Sequence, residues 1–212
     1  MAVQLLDQAF RSTSAEEDNI FYPSSDGQPM GETGIHVRAI LYLYYALRVL
    51  FGDRPDIYVA ADMFLYYQRG NPRAVKAPDV MFVKGVQGNH ERDSFKIWME
   101  GVVPAVIFEV TSPSTWSEDP GAKKTLYEQL GGQEYFIFDP LEDLLDESFQ
   151  GFRLVRGRYQ PISLNRDGTM TSHELGVQLR RKGILLRVLH PATGEPILWE
   201  REIVERLQDS EA

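Results

Sequence analysis

Asp79, Glu109 and Lys123 have the types and spacing to do chemistry in this 212-residue chain. Asp79 follows Pro78 at the entry to the apolar run VMFV, and Glu109 interrupts the run AVIFEVT thirty residues later. Two carboxylates on adjacent strands suit Mg²⁺, which keeps several waters and takes one or two protein carboxylates together with substrate phosphate. Such a site polarises a phosphodiester and activates a water. The plain alternative makes Asp79 a strand-entry turn residue and Glu109 a salt-bridged strand residue. Against it stands the cost of burying an ionisable group inside AVIFEVT without a partner or metal.

Lys123 falls in the first turn of the next helical pattern, where a cation faces the positive end of the helix dipole. A nearby carboxylate or phosphate accounts for that position, and the ammonium could then stabilise developing phosphoryl charge and orient water. Lys124 is the neighbouring candidate, because helix starts are uncertain by a residue or more; two solvated lysines are the simpler reading. Asp119, Lys123 and Tyr127 recur every four residues and share one helical face. Asp119, before Pro120, reads alone as an N-cap, and Tyr127 as a packing aromatic. His36 stands near the start of an earlier helix, beside Glu32, as a structural residue or a substrate-contacting base. The hydroxyls of Ser112, Ser114 and Thr115 either cap a turn or contact phosphate.

The elements that must position these groups follow from periodicity. Residues 11–33 are rich in Ser, Asp, Glu, Gly and Pro and read as an irregular entry. From an N-cap at Thr33, an apolar stripe of Ile35, Ala39, Leu43, Ala46, Leu47 and Leu50 predicts a helix over Gly34 to Phe51, stopped by Gly52 and Pro55. DIYVAADMFLYY reads as one strand, APDVMFVKGV as a second, and PAVIFEVTS as a third buried on both faces. GNHERDSFKIWMEG between them reads as a loop or short helix. EDPGAKKTLYEQLGG gives a helix with Pro120 at its first position and Gly131-Gly132 at its end, and QEYFIFDP returns as a strand. From residue 146 repeated turn signals predict β-hairpins, the last strand being ILW, over an extension of 146–200, then a short helix or tail over 201–212. Helices against a small sheet with a βαβ crossover place function at the carboxyl ends of the strands.

At 43% hydrophobic, the chain can bury the core of one domain spanning 1–212. The N-terminus lacks a basic region before an apolar one, and no run of about 18 uncharged apolar residues occurs, so a cytoplasmic protein without membrane association is expected. The absence of cysteine excludes disulfides, thiolate nucleophiles and Cys-ligated zinc. A net charge of −9 argues against a broad basic surface for nucleic acid, leaving local or metal-bridged contacts. No GxSxG, Walker-type loop, GxGxxG or HExxH occurs.

In order and spacing, APDV, FEVTSPST, EDPGAKKTLYEQLGG and QEYFIFDP resemble the Uma-type group of restriction-endonuclease-like domains, within the PD-(D/E)XK nuclease superfamily. The resemblance covers about residues 34–140, and the tail beginning FQGFRLVRGRYQPI is similar to the C-terminal extension of many such proteins. It implies an α/β (α+β) fold with a core of helix, three strands, helix and strand around a mixed sheet, with Asp79 as the PD aspartate and Glu109 as the (D/E) residue. Thr111 stands where the superfamily pattern has lysine. In the Uma-type group the following helix supplies that lysine, and Lys123, four residues after Asp119, matches it. His36 matches a histidine often found early in the first helix. The implied activity is a divalent-metal-dependent (Mg²⁺ or Mn²⁺) endonuclease acting on DNA. A rival reading is a non-catalytic nucleic-acid-binding or protein-interaction scaffold; a third replaces DNA by RNA or a small phosphodiester. An exposed edge in the β-rich tail suits a homodimer.

Overall fold

The longest apolar stripe forms the helix that covers one face of the main sheet. In a computed structural model of the chain, which describes residues 20–25, 27 and 33–210, helix α1 spans Gly34–Phe51. Thr33 caps it, its side-chain oxygen accepting from the His36 N–H at 3.2 Å. Arg38 is exposed and Arg48 half-buried, whereas Ala39, Leu43, Ala46 and Leu47 are fully buried. Most of residues 11–33, including Glu32, lie outside the described residues.

Six strands make the main sheet: β1 (Ile57–Ala61), β4 (Val80–Lys84), β6 (Val106–Val110), β7 (Glu134–Phe138), β8 (Phe149–Val155) and β9 (Arg158–Pro161), in the order β1-β4-β6-β7-β8-β9. Only β6 and β7 run parallel; the other neighbours in this sheet are antiparallel. The connection between that pair carries a π-helical turn, Asp119–Lys123, running into α3, Lys124–Leu130. Gly131 ends α3 in the left-handed region at φ 85°, a conformation glycine adopts without the Cβ penalty.

Alternation along the strands assigns the two faces. Val59, Phe82, Val106, Phe108 and Phe136 face α1, while Met81, Val83, Ile107, Tyr135 and Ile137 pack with Tyr127 and Leu130 of α3. With both faces covered, the central strands read as nearly continuous apolar runs. Glu109, two residues beyond Ile107, points toward α3.

Two smaller sheets flank this core. In one, β2 (Leu65–Tyr66) lies between β3 (Val75–Lys76) and β5 (Phe95–Lys96). In the other, β10 (Thr169–Ser172), β11 (Val177–Lys182) and β12 (Leu185–Leu189) form an antiparallel meander whose Val177, Leu179, Leu186 and Val188 join the α1 core.

Two local expectations, DIYVAADMFLYY and ILW, are corrected, and two are met with added detail. DIYVAADMFLYY is not one strand: Asp62, at φ 48°, turns the chain and separates β1 from β2. GNHERDSFKIWMEG contains both β5 and a one-turn helix, α2 (Ile97–Glu100). ILW forms no strand, the chain there making an isolated bridge between Leu189 and Pro196. The last helix, α4, runs Glu200–Ser210, starting one residue before the expected 201.

Candidate active site

Strand register brings the two carboxylates together. Pairing of β4 with β6 runs Phe82 with Val106, Met81 with Ile107 and Val80 with Phe108, so the next step outward sets Asp79 opposite Glu109. Residues directly opposite on antiparallel strands project to the same face. The pairing ends here because Asp79 replaces the next backbone partner: its Oδ2 accepts the Val110 N–H at 2.5 Å. His36 reaches the same place from α1, donating from Nε2 to the Val110 carbonyl at 2.6 Å and standing 3.7 Å from Asp79 Oδ2.

The π-helical turn delivers the lysine. Its i to i+5 bonding, with Lys123 N–H donating to the Glu118 carbonyl at 3.0 Å, widens the first turn and carries Asp119 and Lys123 inward together. Lys123 Nζ then lies 2.8 Å from Glu109 Oε2 and 2.9 Å from Asp119 Oδ1. Tyr127 Oη donates to Glu109 Oε1 at 3.0 Å. Thr115 Oγ1 donates to Asp119 Oδ2 at 3.0 Å, and Tyr135 Oη to the Asp119 carbonyl at 3.0 Å.

Burial sets the electrostatics. Glu109 is 0% exposed, and its carboxyl is pushed well above the ordinary glutamate range, first by burial and then by the charge of Asp79, with Lys123 pulling the other way. Asp119 is likewise raised by burial, against the pull of Lys123. Burial draws the Lys123 ammonium down, but Glu109 and Asp119 outweigh it and raise it above the ordinary lysine range. Tyr127 is raised by burial and by Glu109, so its hydroxyl keeps its proton and remains a donor. The cluster therefore holds a charged ammonium against the Glu109 and Asp119 carboxyls, with Asp79 acting on Glu109 from the neighbouring strand.

The structure thus brings together Asp79, Glu109, Asp119, Lys123 and His36. It does not bring in Lys124, whose Nζ lies 3.6 Å from the centre of the Phe152 ring and whose ammonium is lowered by burial. The N-cap reading of Asp119 is corrected: Glu118 holds that position, and the Asp119 carboxylate turns to Lys123 and Thr115. Tyr127 packs as expected, yet it also orients Glu109; its spacing of four from Lys123 was the available signal. Ser112 and Ser114 bond to one another at 2.9 Å, so of the three hydroxyls in that loop Thr115 is the one bonded into the cluster.

A family model described as Uma2, "Putative restriction endonuclease", matches residues 7–186. Among solved structures, the chain is similar to a protein from Anabaena variabilis titled a putative nuclease belonging to DUF820. Identity is 13% and the TM-score 0.50, covering 72% of this chain and 81% of that one. No curated protein matches.

Proposed function

Because the chain belongs to the Uma2 family of restriction-endonuclease-like proteins, we propose that it is a divalent-metal-dependent endonuclease hydrolysing DNA phosphodiester bonds at the Asp79, Glu109 and Lys123 cluster. The observation that carries this reading is the Lys123 ammonium held 2.8 Å from Glu109 on the face that Asp79 shares.

The donor set fits a hard cation. Glu109 and Asp119 share one ammonium, and repulsion from Asp79 acts on Glu109 beyond the effect of burial, so a cation between Asp79 and Glu109 would relieve that repulsion. Among the described residues no three His, Asp or Glu side chains gather as a ready-made metal cage; a pair of carboxylates with waters completing the shell is the Mg²⁺ or Mn²⁺ pattern. Asp79 and Glu109 would hold the ion, which supplies Lewis-acid polarisation of the phosphate and a more acidic water.

The chain's own groups do the rest. The Val110 N–H fixes the Asp79 carboxylate, and the Tyr127 hydroxyl fixes Glu109 from behind. Glu109 and Asp119 keep Lys123 protonated and aimed, so it can stabilise negative charge as it builds on the phosphoryl oxygens and orient the attacking water without reorganising. Thr115 and Tyr135 hold Asp119 in turn.

The complete burial of Glu109 favours a second reading, a non-cleaving scaffold in which the cluster is a closed structural network. One experiment separates the two. Plasmid and single-stranded DNA are incubated with wild type, Asp79→Ala, Glu109→Gln and Lys123→Met, with Mg²⁺ or Mn²⁺, and thermal midpoints are recorded with and without metal. Metal-dependent cleavage falling by about 100-fold or more in each variant is expected, with a metal-induced rise in midpoint for wild type that Asp79→Ala lacks. No cleavage and no midpoint response in wild type would establish the scaffold.

A further inference from the structure

The exposed Trp116 and the half-buried Lys76 stand beside residues of the cluster and take no part in its internal bonding. Trp116 is 48% exposed, and among the described residues no ring stacks on it. Its loop is nevertheless fixed: the N–H groups of Thr115 and Trp116 both donate to the Ser112 carbonyl at 3.0 Å, and the Thr115 hydroxyl reaches Asp119. A large flat apolar surface is thus held one residue from a side chain that touches the cluster. Lys76 of β3, three residues before Asp79, reaches the same loop. Its Nζ pairs with Glu118 Oε2 at 3.2 Å, the side chains being 35% and 53% exposed, and Glu118 immediately precedes Asp119. An ion pair so exposed contributes little, and a phosphate can take the place of the Glu118 carboxylate.

Taking the cluster as the reacting centre, as the nuclease reading does, we infer that Trp116 and Lys76 form a subsite for a nucleotide of single-stranded nucleic acid. The base stacks on the indole, and a backbone phosphate meets Lys76. A base within a continuous duplex has both faces covered by its neighbours, whereas an unpaired base offers one to an aromatic side chain. The overall charge points the same way. A chain whose acidic groups outnumber its basic ones to a net −9 offers no broad basic surface to a polyanion, so stacking, which tolerates any base, supplies affinity beside local phosphate contacts. The substrate class is accordingly single-stranded DNA or RNA, or an unpaired stretch within a duplex.

The test reads binding without cleavage. The full chain is titrated in EDTA with labelled oligothymidylate and oligouridylate of about 12 nucleotides, and with a blunt duplex of equal length. Fluorescence anisotropy and indole quenching are followed for wild type, Trp116→Ala, Trp116→Phe and Lys76→Gln. Expected are tighter binding of a single strand than of the duplex and quenching that disappears in both Trp116 variants. Affinity should fall on the order of tenfold in Trp116→Ala and be largely kept in Trp116→Phe. Lys76→Gln should reduce the slope of log affinity against log salt by about 0.7. Equal or tighter duplex binding, an unaltered Trp116→Ala affinity at unchanged melting temperature, or no binding of either oligonucleotide overturns the subsite. Metal-dependent plasmid cleavage would still uphold the nuclease reading in that case. Trp116-dependent binding without any cleavage would uphold the subsite and end the nuclease reading.

Discussion

Lys123 is the side chain on which the cluster depends. It is the ammonium that both Glu109 and Asp119 face, with its own side chain only 9% exposed, and removing one partner of a buried ion pair leaves the other charge without compensation. Lys123→Ala should therefore cost about 3–5 kcal/mol. Glu109→Gln should cost clearly less, because Lys123 keeps Asp119 and the amide still offers an oxygen to Tyr127. Urea midpoints of the two variants, compared in EDTA, check this ordering; equal losses would mean that Lys123 is compensated from elsewhere. Glu109 and Lys123 were singled out in the sequence because each broke a local rule, a carboxylate in an apolar strand and a lysine at a helix start, whereas Asp79, ordinary at a strand entry, stood out through the resemblance of APDV. Tyr127 and Thr115 broke none. Their types suit packing and turns, and what gives them a place here is the position of Glu109 and Asp119 across space.

Elements were legible where one pattern ran unopposed. Stripe and caps specified α1 within its observed bounds, and the apolar runs of β6 and β7 specified strands buried on both faces. The break at Asp62 was hidden because the apolar residues on either side continue one run. The π-helical turn was hidden because its extra residue leaves the four-residue spacing of Asp119 and Lys123 unchanged. α4 was foreseen, and what anchors it was not. It has no buried residue; it is held by Glu202, which accepts from both terminal nitrogens of Arg187 at 2.8 Å and from the Trp199 N–H at 2.7 Å. The Arg187 hydrogen bonds hold Glu202 below the ordinary glutamate value of 4.5. A depressed folded-state value contributes stability that is present above 4.5 and lost as pH falls through the folded value. Acidification below 4.5 should thus release α4 before the sheet unfolds, seen as early amide exchange over 200–210, and Glu202→Gln should release it already at neutral pH. An α4 equally protected at all pH values would show that the Arg187 pair is not its anchor.

At the scale of the molecule, the meander β10 to β12 is joined to the main sheet by a close approach and a buried charge. Glu134 on β7 is fully buried and takes hydrogen bonds from Arg153 at 2.8 Å, Ser172 at 2.5 Å and the His173 N–H at 3.0 Å. Gly151 on β8 lies against Met170 of β10, and a Cβ there would also come within 2.8 Å of the Phe136 ring. Gly151→Ala should therefore destabilise the whole chain by about 1–3 kcal/mol, read as a lower urea midpoint with a single transition. A separate early transition would mean that the meander unfolds alone. Thr111, two residues beyond Glu109, is buried on the strand side, while the lysine arrives from a turn beyond the 111–118 loop. Acid and ammonium thus reside on two scaffolds joined by a segment that itself grips the centre through Thr115 and Glu118, so the exposed positions between them can change what the rim presents to a ligand without touching the charged groups.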